Sequence, residues 1–278
     1  MHLKLRIQYD GTDFLGSQLQ KQGRTVQGEL ETALHLLAGE PIRVALAGRT
    51  DSGVHAWGQV ATFDFPDKPR INTPVILARA LNANLPHDLA VLDASLAPPT
   101  FHARFSARKR AYRYLFLNTP APLPILRRYA LHIPQPLDTE AMSHAATHLI
   151  GTNDLAAFAG SGLGLPDKPQ EDKPSTTRTI HHAYLHHLDP TADPWHWQAP
   201  DELATRNSQL ATSSLWAIDL VANAFLPQMV RTIVGTLIEV GLHKRTVQSI
   251  DELIQSRDRR LAGQTAKPHG LCLLWVEY

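Results

Sequence analysis

Through the first hundred residues the apolar positions recur with period two, then three to four, then two again. Leu3 to Tyr9 alternates as a strand, and Asp10-Gly11-Thr12 ends it with turn chemistry. Val26, Leu30, Leu34 and Leu37 follow at helical spacing behind Thr25, which the pattern makes an N-cap. Ile42 to Leu46 reads as a short apolar strand, and Gln59-Val60-Ala61-Thr62-Phe63 alternates polar and apolar as another. Pro74 to Leu81 predicts a second helix, and Ala90-Val91-Leu92 with Ala94 and Leu96 a further strand. Strand-helix-strand, twice over, is the order of a ferredoxin-like or RRM-like sheet with helices on one face.

The second half alternates less regularly. Strands are predicted over Arg110 to Leu117, Thr179 to Leu188, Leu215 to Ala222 and Leu271 to Tyr278, with helices over Thr139 to Ile150, Met229 to Val240 and Val247 to Gln255. No direct repeat links the two halves, which divide as residues 1–105 and 106–278. Residues 160–177 and 189–213 are rich in Gly, Pro and polar side chains and exceed ordinary connection lengths, which marks them as functional or mobile loops. His181, His182, His186 and His187 invite a metal reading. Neighbouring strand residues face opposite ways, however, so at most two of them share a face, and surface histidines are the better reading.

Composition narrows the class. A chain of 278 residues with 43% hydrophobic content can bury a proper core in one large or two ordinary domains. The net charge of +1 announces no global basic field, so any affinity for nucleic acid must come from local clusters. The single cysteine, Cys272, lies in an apolar run and reads as a buried thiol, with no internal disulfide available to it. Charges interrupt the N-terminal residues where a secretion signal would be apolar, and no stretch approaches a membrane span. A cytoplasmic protein without a membrane association is expected.

Two stretches carry candidate chemistry. In Gly48-Arg49-Thr50-Asp51-Ser52-Gly53-Val54-His55-Ala56-Trp57-Gly58-Gln59-Val60 one carboxylate sits in a turn between two strand-like segments. Gly48, Ser52, Gly53 and Gly58 are turn residues that tolerate unusual backbone angles and close approach, and Arg49 is near enough in sequence to pair with Asp51. An isolated Asp-Ser-Gly would be an ordinary capped turn; it is the length of the run that favours function. The second stretch, Phe101 to Tyr114, interleaves aromatic rings with Arg104, Arg108, Lys109, Arg110 and Arg113 and contains no acid. Basic side chains grip phosphates without reading sequence, and aromatic rings stack on unpaired bases. Strict alternation puts Arg110, Tyr112 and Tyr114 on one face and Ala111, Arg113 and Leu115 on the other.

The Asp51 run resembles the signature of the tRNA pseudouridine synthase A family, with Asp51 on the position of the catalytic aspartate. The resemblance extends from Tyr9-Asp10-Gly11-Thr12 and Thr25-Val26-Gln27-Gly28 through Leu81-Asn82 to Gly270-Leu271. It implies an α/β (α+β) fold of two ferredoxin-like or RRM-like halves, joined into one extended, mostly antiparallel sheet with flanking helices and a central cleft. Tyr112 then corresponds to the tyrosine that contacts the target uridine. Thr177-Arg178-Thr179-Ile180 matches another family segment, in which Arg178 contacts the RNA backbone or braces the site. Asn223 to Gly235 matches a third, and its Arg231 corresponds to an arginine close to the catalytic aspartate; Arg231 or Arg49 is expected to pair with Asp51.

The implied reaction isomerises uridine to pseudouridine at positions 38, 39 and 40 of the tRNA anticodon stem-loop, performed by a homodimer. An isomerisation needs neither a redox cofactor nor an energy source, so no cofactor and no metal are expected. An adjacent arginine suits a carboxylate that acts as nucleophile or base, because it holds the acid ionised against burial. Three departures from the family pattern stand out: Ser17 where tryptophan is common, Pro227 before Met229, and the run Thr265 to Leu271. Two rivals remain. A non-catalytic RRM-like RNA-binding protein would leave the Asp51 loop unexplained, and an aspartate-nucleophile phosphatase would need a second acid where Gly53 stands.

Overall fold

The computed structural model describes residues 1–160, 175–188 and 214–278. Most of the two long loops predicted above therefore lies outside the described residues. The fold is mixed α/β, with ten strands and five α-helices among the described residues. The chain divides into two compact units, Met1–Arg110 with Cys272–Tyr278, and Ala111–Leu271. No described helix is long and apolar enough to cross a membrane.

The first unit contains strands β1 (His2–Tyr9), β2 (Ala45–Leu46), β3 (His55–Asp64), β4 (Leu89–Leu96) and β10 (Leu271–Glu277), and helices α1 (Val26–Ala38) and α2 (Pro74–Asn82). Its strand order is β4-β1-β3-β10, with β2 also on β3. β1 runs antiparallel to both neighbours, Leu5 lying opposite Ala61 on one side and Ala94 on the other. β10 joins β3 in parallel, Cys272 beside His55 and Leu273 beside Ala56. Leu3, Leu5, Ile7 and Tyr9 of β1 are buried, as are Val26, Leu30, Ala33 and Leu34 of α1 and Leu77 and Leu81 of α2. Each large apolar side chain sealed this way contributes about 1.5–3 kcal/mol of transfer free energy. Thr25 caps α1 as predicted, its hydroxyl accepting the Gly28 N–H at 3.1 Å.

In β3 the alternation of polar and apolar residues is not an alternation of exposure: Gln59 and Thr62 are buried along with every residue of the strand but Trp57 and Asp64. A strand flanked by neighbours and covered on both faces can hold polar groups only where each finds a partner. Gly58 is likewise a strand residue and not part of the turn; a Cβ there would stand 2.5 Å from the Leu274 carbonyl oxygen. The predicted strand Ile42–Leu46 contracts to the two residues of β2.

The second unit takes β5 (Lys109–Asn118, from Ala111 onward), β6 (Leu131–Ile133), β7 (Gly151–Asp154), β8 (Thr177–His187) and β9 (Leu215–Ala222), with α3 (Thr139–Thr147), α4 (Met229–Gly241) and α5 (Ser249–Ser256). Its strands order as β5-β9-β8-β7, and β6 adds to β5 in parallel. The predicted elements are present. The short β6 and β7 were not predicted, because three or four residues carry no readable period. α3 stops at Thr147, short of the predicted Ile150: Leu149 and Ile150 donate to carbonyls three residues back, tightening the final turn before Gly151 takes φ +113°. α4 is buried nearly all round, from Met229 and Val230 to Val240, and is the central helix of this unit.

Candidate active site

Asp51 occupies the loop between β2 and β3, half-buried, with Gly53 in the left-handed region at φ +78°. The Val54 N–H closes the turn on the Asp51 carbonyl oxygen at 3.1 Å. Three buried side chains hold the residues just ahead of the acid. Gln59, with 0% exposure, accepts the Gly48 N–H on Oε1 at 3.3 Å and donates Nε2 to the Gly48 carbonyl at 2.8 Å. Ser17 does the same for Thr50: its Oγ accepts the Thr50 N–H at 2.8 Å and its own N–H donates to the Thr50 carbonyl at 3.0 Å. The Tyr9 hydroxyl lies 2.8 Å from Thr50 Oγ1 and 3.5 Å from Gln59 Nε2. Burial pushes the Tyr9 phenol up to about 12, against the opposing hydrogen bonds from Thr50 and Gln59, so it stays neutral and retains its proton. Beyond the acid, Ser52 Oγ donates to the Phe14 carbonyl at 3.1 Å.

The loop is thus fixed from β1, from the 14–17 segment and from β3. Each bond alone is worth about 0.5–1.5 kcal/mol; together they leave the Asp51 backbone little freedom. The turn was legible in the sequence and its supports were not: Gln59 stood out only as part of a strand, and Ser17 only as a departure from the family. Arg49, two residues before the acid, is exposed.

The other candidates belong to the second unit. Tyr112, 6% exposed, is buried on β5 with its ring edge-on to Phe225, centroids 5.1 Å apart at 83°. Phe225 lies in the connection from β9 to α4. Arg231, in the first turn of α4, is tied to Ala266 twice: its Nε donates to the Ala266 carbonyl at 2.8 Å, and its own carbonyl accepts the Ala266 N–H at 3.0 Å. The segment behind it is locked to the helix, Gly263 N–H donating to Thr236 Oγ1 at 3.0 Å. The neighbouring Tyr114 hydroxyl donates to the Lys267 carbonyl at 2.8 Å. Burial raises the Tyr114 phenol, and the Arg231 charge partly opposes that rise.

Arg178 on β8 is half-buried, and its Nη1 donates to the Ser175 and Thr177 carbonyls at 2.8 and 2.6 Å. Its Nε is buried with no hydrogen-bond partner among the described residues, and desolvation lowers its pKa. A buried N–H without a partner is costly, which makes Arg178 a candidate to meet an external acceptor.

Three of the five cations in the basic stretch have internal partners. Lys109 pairs with Glu277 at 3.1 Å. Arg110 is buried and donates to the Ala47 and Arg104 carbonyls at 2.9 and 3.0 Å. Arg113 is sealed at 0% exposure and forks onto Asp219, Nε to Oδ1 and Nη2 to Oδ2 at 2.7 Å each. Asp219 also lies 2.9 Å from Nε2 of His186. This corrects the reading of the histidines as surface residues: His186 is buried as a partner in an ion cluster. No group of three or more His, Cys, Asp or Glu side chains suited to a metal occurs among the described residues.

The family model for tRNA pseudouridine synthase matches residues 6–106 and 145–278, spanning the Asp51 loop, Arg178 and the α4 block. A protein of Chloroflexus aurantiacus named tRNA pseudouridine synthase A is 45% identical over 276 residues, 99% of this chain and 88% of the relative. Proteins of the same name from Halalkalibacterium halodurans and Geobacillus are 40% identical over 269 residues (96% and 89%) and 39% identical over 282 residues (99% and 98%). The chain belongs to the tRNA pseudouridine synthase family. Pseudouridine synthases are isomerases, and this chain is an enzyme of that kind.

Proposed function

We propose that this enzyme converts uridine to pseudouridine in the anticodon stem-loop of tRNA, at positions 38, 39 and 40, with Asp51 as its catalytic residue. The observation that carries the reading is the clamp of Tyr9, Ser17 and Gln59 on residues 48–50, which presents one half-buried carboxylate on a fixed backbone. Electrostatic and nucleophilic catalysis both depend on a group held in place before the substrate arrives.

The reaction breaks the N1–C1′ bond, turns the uracil and forms a C5–C1′ bond; C5 loses its proton and N1 gains one. Atoms and electrons balance within the nucleoside, so the chemistry calls on no oxidant and no energy source. Asp51 must be ionised to act on it. A guanidinium, that of Arg231 or Arg49, pairs with the anion. Tyr112, its ring braced by Phe225, holds the uracil plane while the base turns. Arg178 contacts the RNA backbone. A uridine in a stem must first leave its stack, at a cost of a few kcal/mol that contacts to the extruded base offset. The protein acts as a cytoplasmic homodimer whose two subunits both touch the tRNA, which light scattering at micromolar concentration tests directly.

The decisive experiment follows tritium release from tRNA carrying 5-tritiated uridine. Asp51→Ala abolishes release while tRNA binding persists; a variant that still turns over removes Asp51 from the mechanism. Binding by the intact enzyme weakens steeply between low and high salt despite the net charge of +1, because phosphate contacts displace counterions.

A further inference from the structure

The turn between β4 and β5 displays a feature that the reaction as described leaves unused. Phe105 is 75% exposed and is the only aromatic residue among the exposed large hydrophobic residues of the described chain. Its exposure is not a consequence of a loose loop. The Ser106 N–H donates to the His102 carbonyl at 2.9 Å, and the His102 N–H donates to Ser106 Oγ at 3.0 Å. The Arg104 N–H donates to His102 Nδ1 at 3.1 Å, which requires that nitrogen to be unprotonated. Beneath the turn, Ala103 N–H donates to Thr62 Oγ1 at 3.2 Å and the Tyr278 hydroxyl donates to the Ala103 carbonyl at 3.0 Å. The Arg110 guanidinium then joins the Arg104 carbonyl to that of Ala47, the residue before Gly48. One buried cation therefore ties the Phe105 turn to the start of the Asp51 loop.

The surroundings of the ring define what it fits. The His102 ring lies 4.5 Å from it at 35°, and the Arg104 guanidinium lies 5.5 Å from its centroid. Arg104 and Arg108 are exposed, and neither makes an ion pair among the described residues. An apolar partner surface would meet one ring and two hydrated cations, a poor match for protein–protein burial. An unpaired nucleobase with its flanking phosphates matches all three: a π face for the ring and anions for the arginines.

We propose that His102, Arg104, Phe105 and Arg108 form a stacking site for an unpaired nucleobase of the RNA substrate, with Arg104 and Arg108 on the adjoining phosphates. The assignment rests on the RNA-isomerase reading above and goes beyond it by giving the substrate a second point of purchase on the frame that carries Asp51.

The test measures affinity for an unmodified anticodon stem-loop RNA by fluorescence anisotropy, with the melting temperature of each variant as a fold control. Phe105→Ala weakens binding about 5- to 100-fold, the span of one lost base–aromatic stack, at an unchanged melting temperature. Phe105→Trp binds as the native protein does, and its emission is quenched when RNA is added. Phe105→Leu, apolar but without a π face, binds as weakly as Phe105→Ala. Native affinity in Phe105→Ala overturns the proposal, and so does full restoration by Phe105→Leu. Binding is read without turnover, so the two readings fail separately: absent tritium release from the native enzyme removes the isomerase assignment, whereas unchanged affinity in Phe105→Ala removes only the stacking site.

Discussion

Asp51 and Asp219 are carboxylates of opposite design. Asp219 is sealed at 1% exposure, and Arg113 and His186 meet its two oxygens. Burial would raise its pKa, but the hydrogen bonds and charges of Arg113 and His186 outweigh that and hold it below its ordinary 3.8. Ahead of Asp51, buried polar groups hold the backbone: Gln59 and Ser17 grip the peptide groups of Gly48 and Thr50, and the acid itself is only half-buried. The contrast is one of burial: Asp219 is sealed within its cluster, whereas Asp51 stands half-buried on a loop whose backbone is held by buried side chains.

The largest effect expected from this comparison is on stability. Asp219→Ala leaves the Arg113 charge buried without its counter-charge and costs about 3–5 kcal/mol, read as a fall in the denaturant midpoint. Asp51→Ala stays within about 0.5 kcal/mol of the native protein while losing tritium release. Exchanged outcomes, a stable Asp219→Ala or an unfolded Asp51→Ala, would break the distinction.

Gln59→Leu comes next. It strips both bonds from Gly48 and costs about 1–3 kcal/mol, and the displaced loop slows single turnover by about 10- to 100-fold. Affinity for tRNA changes far less, because the altered group lies behind the loop. Equal losses in rate and affinity would mark Gln59 as a packing residue only. Ser17→Ala removes one acceptor and has the same character at about 1 kcal/mol, with Ser17→Thr restoring part of the rate.

The last effect is electrostatic and appears on acidification. The folded-state pKa of Asp219 lies below its unfolded value, so its contribution is complete above about pH 4 and is lost as pH falls through the folded value. Asp219→Asn therefore flattens the acid limb of the stability profile, measured by urea melts from pH 7 downward. An unchanged acid limb would mean that Arg113 and His186 do not hold the carboxylate as the geometry indicates.

Much of this was legible along the chain. Thr25 announced α1, Leu215 to Ala222 was read as β9 with the ends it has, and the Gly-rich run placed Asp51 in a turn ahead of β3. These are local signals, set by residues within one turn or one strand. The failures share a cause. The histidines of β8 were read as surface residues because a polar side chain on a strand usually is, and the burial of His186, Arg113 and Gln59 was not foreseen. Each is buried, with its partner far away in sequence: Gly48 and Tyr9 for Gln59, and Asp219 for both His186 and Arg113.

By itself the sequence determined the kinds of element, their order and the position of the acid, because hydrophobic period and turn chemistry act over a few residues. Only the tertiary structure decided that β10 runs beside β3, that Ser17 and Gln59 hold the Asp51 loop, and that an arginine, an aspartate and a histidine share one sealed cluster. Those outcomes depend on which strands become neighbours. Burying a polar group is favourable only when the fold delivers its partner, and no local pattern records that delivery.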